Sequence, residues 1–568
     1  MSRAIFEVRA FLAGPASHVG STALLPRIIT TIGIGPRLSL AFVGSPLLPL
    51  ISATSGSWPR WGGRGHVFSI PTLPERGSPM IFDPPWVTVL PDSDSLERFL
   101  ADPAEHTGAG AVELRLDFWA SPPSLGTIAS IPVPSIVTWR RGAARESERL
   151  SFLKELLMGK GGDLWLDLDV EDPAALRGLP ITIGRPDGVR VLMSRHFEAR
   201  ATDAALRGAA RNLLRPGVDA AKLVVAAGGL EATLQALRLS AELSKEGRPI
   251  VVFAAGIGGT ASRFLAGGTG RTWWGYGRTR GGTPVVAGQP VVATIGTRYG
   301  GGLTSGPSGA AGFAAVIGSD VSRSLSPGFH NRALVEAGRP ERWLDLTLDD
   351  PSGLLADDLP DPFPPQQLAI TAPHKSWARR QGRAGAPGEE VHVAWNTLAH
   401  DARGWVGWNT DVPAFLGALE NRGVHASEPV LIIGAGGTAQ PIALELARRG
   451  TPVWILRRGN DPLPEPLAEA CVTEVGPEAI AEAQVLVNAT GTADRLAWPI
   501  ERFRGSLAVE YRYDPLHTDF SERTTAAGAA LVDGLELFAE QARRQSKVLY
   551  DLDVSVERAR EWATLAHH

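Results

Sequence analysis

Lysine is scarce in this chain, so each lysine is a candidate for chemistry that needs a primary amine. The 568 residues contain six lysines among 56 basic residues, which leaves fifty arginines. An amine can lose its proton, attack a carbonyl carbon and form an imine. Lys222 stands out because it lies inside an apolar run, where a charge is costly unless it is neutralised or paired. This position favours a covalent role, although a single lysine is more often a solvated surface charge.

Other polar residues recur at the ends of neighbouring apolar runs. His196 ends one such run, and an imidazole titrates near neutrality, which suits a proton shuttle. Asp169 ends the preceding run. The remaining members are suited to holding a carboxylate and hydroxyl groups: Glu113, Arg115, Arg140, Arg263 and Gln289. Each residue alone is a weak signal, but together they predict one polar site.

Eight short apolar runs, separated by amphipathic stretches, organise these residues. The runs start 22 to 31 residues apart, at Val87–Pro91, Ala111–Asp117, Ser135–Arg140, Leu164–Asp169, Val189–His196, Ala220–Ala226, Pro249–Ala255 and Arg271–Tyr276. Strand and helix alternating eight times predict a (β/α)8 barrel, whose chemistry gathers at the carboxyl ends of its strands.

A second kind of unit begins at Pro429, where a strand, a glycine-rich turn and a helix follow one another. Such a turn offers backbone amides and a helix N-terminus to a pyrophosphate. The positions expected to contact a dinucleotide are Gly434, Ala435, Gly436, Gly437, Thr438 and Ala439. Arg457 and Arg458 follow the next strand, where guanidinium groups favour the 2′-phosphate of NADP over NAD. No acidic residue follows Leu456 until Asp461, so we expect nothing nearby to repel that phosphate.

Composition excludes several classes of protein. Hydrophobic residues make up 44% and charged residues 20%, which is typical of a globular chain rather than a disordered or fibrous one. The formal net charge of -4 argues against a general nucleic-acid-binding surface. The single cysteine, Cys471, excludes an intrachain disulfide framework and a cysteine-cluster zinc site, and we expect no metal. The sequence contains no uninterrupted run of eighteen apolar residues, so we predict no transmembrane helix.

The first eighty residues are acid-poor and arginine-bearing, with Glu7 and Glu75 as their acids. Such a segment is typical of a transit peptide, but it also fits a disordered tail or a mis-assigned start, because Met80 precedes the first orderly strand. The low lysine count indicates a GC-rich bacterial genome and favours the last two interpretations. We therefore expect a cytoplasmic protein, and a plastid protein only if residues 1–80 are a genuine transit peptide.

The first half carries a series of motifs in a fixed order between residues 84 and 295. They read VELRLD, VTWR, LDLDV, SRHF, DAAKLVV, GIGGTASR and AGQP. This series resembles type I 3-dehydroquinate dehydratase. The resemblance implies that Lys222 forms a Schiff base with the 3-keto group of 3-dehydroquinate. His196 would remove the C2 proton and later protonate the departing C1 hydroxyl.

The same resemblance assigns the remaining residues of the first site. Asp169 occupies the place of the glutamate that orients the histidine, one methylene shorter. The implied substrate-binding residues are Glu113, Arg115, Arg140, Arg263 and Gln289. The lid loop Val285–Gln289 lacks the serine that the family has there, which affects the grip on substrate more than the chemistry.

The second half is similar to shikimate dehydrogenase through about residue 550. Its motifs read GSDVSRSLSPGFHN, ITAPHK, AWNTLAHDARGWVGWNTD, VLVNAT, YRYDPLHT and GLELFAEQ, with the glycine-rich turn among them. The resemblance implies a catalytic dyad of Lys375 and Asp411, in which a held ammonium donates a proton to a developing alkoxide. The implied substrate-binding residues are Ser324, Ser326, Thr371, Asn396, Tyr513 and Gln541. Ala369, Arg323 and Arg457 depart from the family's usual residues without removing the dyad.

The two resemblances concern consecutive reactions, so together they predict a bifunctional α/β enzyme that uses NADP(H). Its substrates would be 3-dehydroquinate, 3-dehydroshikimate and shikimate, without nucleic-acid or membrane partners and with the oligomeric state open. The expected parts are a leader (1–83), a barrel (84–298), a linker (299–312), a substrate domain (313–415), a Rossmann domain (416–533) and returning helices (534–568). Two alternatives remain: quinate dehydrogenase activity in the second half, or a quinate-sensing regulator built from degenerate copies. A degenerate copy would be expected to lose its nucleophile or dyad.

Overall fold

The computed structural model describes most of the chain from Phe82 onward. The described residues are 82, 85–106, 108–141, 145–159, 163–172, 179, 185–247, 249–267, 275–299, 313–356, 358–360, 363–424, 427–459, 462–492 and 495–567. The expected leader thus lies outside the described residues apart from Phe82, and so does the expected linker apart from Tyr299. Within the described ranges, no helix is long and apolar enough to cross a membrane.

Eight parallel strands form the first sheet. They are β1 (Trp86–Leu90), β2 (Ala111–Arg115), β3 (Ser135–Thr138), β4 (Leu164–Asp169), β5 (Val189–His196), β6 (Ala220–Val225), β7 (Ile250–Ala254) and β8 (Gly275–Arg278). Each strand pairs with the next along the chain from β1 to β7, and β1 also pairs with β8. The sheet is therefore a nearly closed barrel with its strands' carboxyl ends on one rim, as the sequence predicted. Such strands are buried on both faces, which explains their continuous apolar runs.

Helices alternate with these strands. They are α1 (Ser93–Ala101), α2 (Pro103–His106), α3 (Leu125–Ala129), α4 (Glu146–Met158), α5 (Asp203–Leu213), α6 (Gly229–Lys245), α7 (Thr260–Gly267) and α8 (Ile295–Arg298). Polar side chains cap the N-termini of two of these helices by accepting hydrogen bonds from backbone amides of the first turn. The carboxylate of Asp92 accepts the amide of Ser95, and the hydroxyl of Thr202 accepts the amide of Ala205.

The eighth strand differs from its prediction. The sequence predicts it at Arg271–Tyr276, whereas the structure has it at Gly275–Arg278. Glycines interrupt the apolar pattern by which a strand is predicted from sequence, but the close packing around this strand requires them. A Cβ at Gly277 would lie 2.5 Å from the carbonyl oxygen of Pro290, and one at Gly275 would lie 3.0 Å from Arg263. Tertiary contact therefore decides the position of this strand.

The second sheet has mixed strand directions. Its strands are β9 (Ala314–Gly318), β10 (Trp343–Thr347), β11 (Gln367–Ile370), β12 (Arg383–Ala384), β13 (Thr397–Asp401) and β14 (Gly404–Trp408), in the order β10-β9-β11-β13-β14-β12. Helices α9 (Ser326–Glu336) and α10 (Lys375–Arg379) belong to this part. Tyr299, the first residue of the expected linker, is buried, and its hydroxyl donates to Asp345 on β10 at 2.6 Å. Arg298 also pairs with Asp345, so the end of the barrel is joined to this sheet.

The third sheet has six parallel strands. They are β15 (Val430–Ile433), β16 (Val453–Leu456), β17 (Thr473–Glu474), β18 (Val485–Asn488), β19 (Leu507–Glu510) and β20 (Ala530–Val532). Their order is β17-β16-β15-β18-β19-β20, which is the 3-2-1-4-5-6 order of dinucleotide-binding folds. Ligands of such sheets bind beyond the carboxyl ends of the strands, at the point where the order reverses, here next to β15.

The remaining helices precede, alternate with or follow the strands of the third sheet. They are α11 (Asp411–Asn421), α12 (Ala439–Arg448), α13 (Glu465–Glu469), α14 (Asp519–Ala526), α15 (Gly534–Tyr550) and α16 (Val556–His567). The last two pack against α9, next to the second sheet. Phe329 of α9 packs edge-on against Phe538 of α15 at 5.9 Å and Trp562 of α16 at 5.6 Å between ring centroids.

Candidate active sites

Lys222 lies on β6 among two carboxylates. Its side chain is 3% exposed, and its Nζ forms an ion pair with Asp167 of β4 and lies 3.3 Å from Oε1 of Glu113 on β2. The ring centroid of Tyr276 lies 4.6 Å from Nζ on another side. Of the two ways in which a barrel tolerates a buried charge, the structure therefore shows pairing.

His196 lies close to the guanidinium of Arg140. Its Nε2 is 2.6 Å from an Arg140 nitrogen. Burial lowers the pKa of His196 well below its ordinary value, and the positive charges of Arg140, Lys222 and Arg115 lower it further. The imidazole is thus neutral near pH 7, the form that can accept a proton.

Asp169 does not contact His196 as the resemblance implied. One carboxylate oxygen lies 3.6 Å from Arg140, and the other accepts the amide of Glu171 at 2.9 Å. Aspartate is one methylene shorter than the glutamate expected here, and Arg140 occupies the intervening position. The carboxylate therefore reaches the imidazole through a guanidinium.

Two other predicted residues of the barrel site are already bonded to groups of the protein itself. Arg115 is paired with Asp117 through two bonds of 2.7 and 3.0 Å. Gln289 turns its carbonyl oxygen to the amides of Val285 and Val286, so it organises the lid loop itself.

Arg263 differs from these residues because it is buried without a counter-charge. It is 1% exposed, lies over the Phe253 ring at 4.4 Å, and has no ion-pair or hydrogen-bond partner within the described ranges. Burial lowers the pKa of Arg263 to about 10. A buried guanidinium in this state is suited to an anionic ligand.

Lys375 and Asp411 form the second constellation. Nζ of Lys375, at the start of α10, lies 2.7 Å from Oδ2 of Asp411, at the start of α11. The amide nitrogen of Asn396 donates to Oδ1 of Asp411 at 2.9 Å. Lys375 also donates to the hydroxyl of Thr438 at 2.8 Å, so the glycine-rich turn meets the dyad directly.

A cavity of about 580 Å³ surrounds this dyad. The predicted residues Ser324, Ser326, Thr371, Asn396, Tyr513 and Gln541 all line it. Burial raises the pKa of the Tyr513 phenol, which therefore stays neutral. The amide of Gln541 donates to the hydroxyl of Thr410 at 3.1 Å, next to Asp411 in the chain. The cavity is thus polar around the dyad.

The glycine-rich turn reaches the same cavity through Gly436, Gly437 and Thr438. Gly434, just after β15, has a φ of 109°, a conformation that favours glycine, and its Cβ would lie 3.2 Å from the carbonyl oxygen of Ala489. A Cβ at Gly437 would lie 3.3 Å from the Lys375 side chain. Ala435 also belongs to the turn, which ends at Thr438, just before α12 begins at Ala439. The turn is therefore shaped for close approach of a phosphate to backbone amides.

The arginines after β16 are not equivalent, which corrects the prediction that no acid stands nearby. Arg457 donates to both carboxylate oxygens of Glu474 at 3.0 and 3.1 Å. Glu474 lies on the adjacent strand, and Ile455 is its partner in the parallel register. Strand pairing brings together residues that the linear sequence separates. Arg458 is exposed.

Two residues of these sites escaped sequence reasoning. Asp167 shares one face of β4 with Asp169, because side chains two apart in a strand point the same way, and this spacing could have identified it. Tyr511 lines the cavity around Lys375 and Asp411, and its hydroxyl is buried without a partner within the described ranges. Burial and the charge of Asp411 raise the pKa of Tyr511 well above its usual value.

Comparison with known proteins covers both halves. The type I 3-dehydroquinase family model matches residues 88–299. An NADP-dependent shikimate dehydrogenase of Thermus thermophilus is 33% identical over 235 residues, 40% of this chain and 88% of that protein. That of Aeropyrum pernix is 32% identical over 274 residues, 44% of this chain and 95% of that protein.

Among solved structures, one aligns with most of this chain. The dehydroquinate dehydratase and shikimate dehydrogenase from S. pombe aligns with 84% of this chain and 98% of its own, at 17% identity and a TM-score of 0.35. In the described part of this chain, no group of three or more histidine, cysteine, aspartate or glutamate side chains could hold a metal ion. The chain belongs to the shikimate dehydrogenase family and joins to it a type I 3-dehydroquinase domain.

Proposed function

We propose that the chain carries out two consecutive reactions, dehydration of 3-dehydroquinate to 3-dehydroshikimate and reduction of that product to shikimate with NADPH. The observation that carries the proposal is that each half contains a buried lysine among the groups that its reaction requires. Lys222 stands with His196 and an uncompensated Arg263 in the barrel. Lys375 stands with Asp411 beside a glycine-rich turn. A degenerate regulatory copy would be expected to lose its nucleophile or its dyad, whereas this chain has Lys222, His196, Lys375 and Asp411.

In the barrel, Lys222 would form a Schiff base with the 3-keto group of the substrate. The resulting iminium withdraws electrons from C2, so the neutral imidazole of His196 can remove the C2 proton. His196 then returns a proton to the departing C1 hydroxyl. Arg263 would bind the substrate carboxylate, with Arg140 and Glu113 around the ring hydroxyls.

In the second half, the chain's own part is to hold the substrate and move one proton. Ser324 and Ser326 would hydrogen-bond the carboxylate, and Thr371, Asn396, Tyr513 and Gln541 the ring oxygens. Lys375, held by Asp411, would donate its proton to the carbonyl oxygen as that oxygen becomes an alkoxide. NADPH, when bound, supplies the hydride. Residues 434–439 fit its pyrophosphate, since the turn leaves room for close backbone approach and ends in the N-terminus of α12.

Replacing His196 with alanine should separate covalent chemistry from proton transfer. We expect the variant to form the imine on Lys222 but to dehydrate 3-dehydroquinate about 10²-fold more slowly, the lower limit for loss of a general acid–base group. Borohydride trapping followed by mass spectrometry measures the imine, and the absorbance of the conjugated enone measures dehydration. Undiminished enone formation by the variant would reject the shuttle role.

Cofactor preference should depend chiefly on Arg458. A hydrogen bond to a charged group contributes about 1.5–3 kcal/mol, so Arg458→Ala should raise the Kd for NADP by about 10- to 100-fold while leaving that for NAD nearly unchanged. Arg457→Ala should have a smaller effect, because Glu474 already binds that guanidinium. Titration of the tryptophan fluorescence measures both constants.

Glu474→Gln serves as the matched control for this cofactor prediction. Removing the carboxylate frees Arg457 and should lower the Kd for NADP. If the wild type binds NAD as tightly as NADP, neither arginine selects the cofactor.

A further inference from the structure

Asp167 forms an ion pair with the amine of Lys222, yet the family resemblance assigns it no role. Its side chain is 1% exposed. Its other oxygen, Oδ1, is buried without a hydrogen-bond partner within the described ranges. One carboxylate oxygen thus contacts Nζ of Lys222, and the other is unpartnered within those ranges.

Schiff-base formation needs such an acceptor, because an ammonium has no lone pair with which to attack a carbonyl. Bulk water is a poor acceptor here, since Lys222 is 3% exposed and Tyr276 covers another side of Nζ. Among the described residues His196 forms no hydrogen bond with Nζ of Lys222, whereas Asp167 is ion-paired with it.

Glu113 is the second carboxylate near Nζ, but its position is less favourable. Its Oε1 lies 3.3 Å from Nζ and accepts the hydroxyl of Thr138 at 2.7 Å, whereas that hydroxyl lies 3.4 Å from Oδ2 of Asp167. Burial raises the pKa of Asp167, but the charges of Lys222 and Arg140 outweigh burial, so the net pKa is lowered and the carboxylate is ionised. Asp167 is thus the acceptor in place when substrate arrives.

We propose that Asp167 is the proton acceptor and donor for Schiff-base formation on Lys222, separately from the proton transfers of His196. The proposal rests on the dehydratase function proposed above. It adds a catalytic residue to the first chemical step, since Asp167 contacts the reacting nitrogen itself.

The step balances with one carboxylate acting twice. Asp167 takes one proton from the ammonium, the amine lone pair forms the C–N bond to C3, and the carbonyl electron pair moves to oxygen, which receives that proton. Asp167 then takes a second proton from nitrogen and delivers it to the carbinolamine hydroxyl. The C–O bond breaks, water leaves, and the nitrogen lone pair completes the iminium. One ammonium and one ketone thus give one iminium and one water, with Asp167 again ionised.

Rapid quenching with borohydride tests this role, using the full chain and 3-dehydroquinate. Asp167→Asn keeps the shape but cannot accept the proton, so adduct formation on Lys222 should slow by about 10²-fold. Asp167→Glu restores a carboxylate and should recover at least part of that loss. The dependence of the adduct rate on pH should weaken in the Asn variant and persist in the Glu variant.

Asp172→Asn is the matched control, because Asp172 is also buried and pairs with Arg149 at 2.7 Å without contacting Lys222. We expect it to lower Tm, as breaking a buried ion pair does, but to leave the adduct rate within a few-fold of wild type. Equal slowing in Asp167→Asn and Asp172→Asn would overturn the proposal in favour of a structural role.

The remaining outcomes also decide. Wild-type adduct rates in Asp167→Asn, or a Glu variant no faster than the Asn variant, would overturn the proposal. If Asp167→Asn fails to fold, the rate of the Glu variant relative to wild type and its pH dependence decide. Absence of any adduct in the wild type would refute the dehydratase function itself, which keeps the two failures distinct.

Discussion

Replacing Lys222 with alanine should abolish dehydration of 3-dehydroquinate, with kcat falling by about 10⁴-fold or more, as expected for loss of a covalent nucleophile. Lys222 supplies the amine, and no other lysine within the described ranges lies on a barrel strand. Borohydride added with substrate should label the Lys222 peptide of the wild type and leave the variant unlabelled. Intact-mass and peptide mass spectrometry check both results.

Lys154→Ala is the control for this experiment. Lys154 is exposed on α4 of the same barrel, so its loss should change neither the adduct nor the rate. The dehydrogenase rate of Lys222→Ala, measured with 3-dehydroshikimate and NADPH, should equal that of wild type. Adduct of undiminished yield in Lys222→Ala would show that the nucleophile lies elsewhere.

Replacing Lys375 with alanine should lower the rate of 3-dehydroshikimate reduction by about 10³- to 10⁴-fold, in the upper range for loss of a general acid. The reason is geometric, since Nζ is held at 2.7 Å from Asp411 and 2.8 Å from Thr438 at the wall of the cavity. Asp411→Asn should lose less, because Asn keeps the contact but not the charge that holds the ammonium. The fall in NADPH absorbance measures both variants.

The matched control for the dyad is Lys547→Ala, which removes a half-exposed lysine of α15 that pairs with Asp551 and Asp553, between α15 and α16. Its reduction rate should match the wild type. Both dyad variants should retain wild-type dehydration of 3-dehydroquinate, because that reaction belongs to the barrel. Reduction at the wild-type rate by Lys375→Ala would exclude the lysine as the proton donor.

Local pattern predicted most of the fold because most strands here are continuous apolar runs. β4 and β5 have their predicted bounds, Leu164–Asp169 and Val189–His196. β8 does not have its predicted bounds, because its glycines are required by close contacts with Pro290 and Arg263, which lie outside the strand. Where packing rather than hydrophobic burial chooses the residue, the local sequence carries little signal.

The sites follow the same division. The positions of Lys222, Lys375 and Asp411 follow from motifs that lie within single segments. Two ion-pair partners do not follow from such motifs, because each comes from another strand: Asp167 for Lys222, and Glu474 for Arg457. Asp169 shows the limit most clearly, since Arg140 contacts both its carboxylate and His196, an arrangement that no spacing reveals.

The most direct test of the whole account is to follow NADPH absorbance after adding 3-dehydroquinate to the purified chain alone. If one chain carries both reactions, absorbance falls and shikimate accumulates. Lys222→Ala and Lys375→Ala should each fail in this assay, and an equal mixture of the two should restore it, because each variant supplies the activity that the other lacks. No loss of NADPH with 3-dehydroquinate, under conditions in which 3-dehydroshikimate is reduced, would contradict the assignment of two activities to this chain.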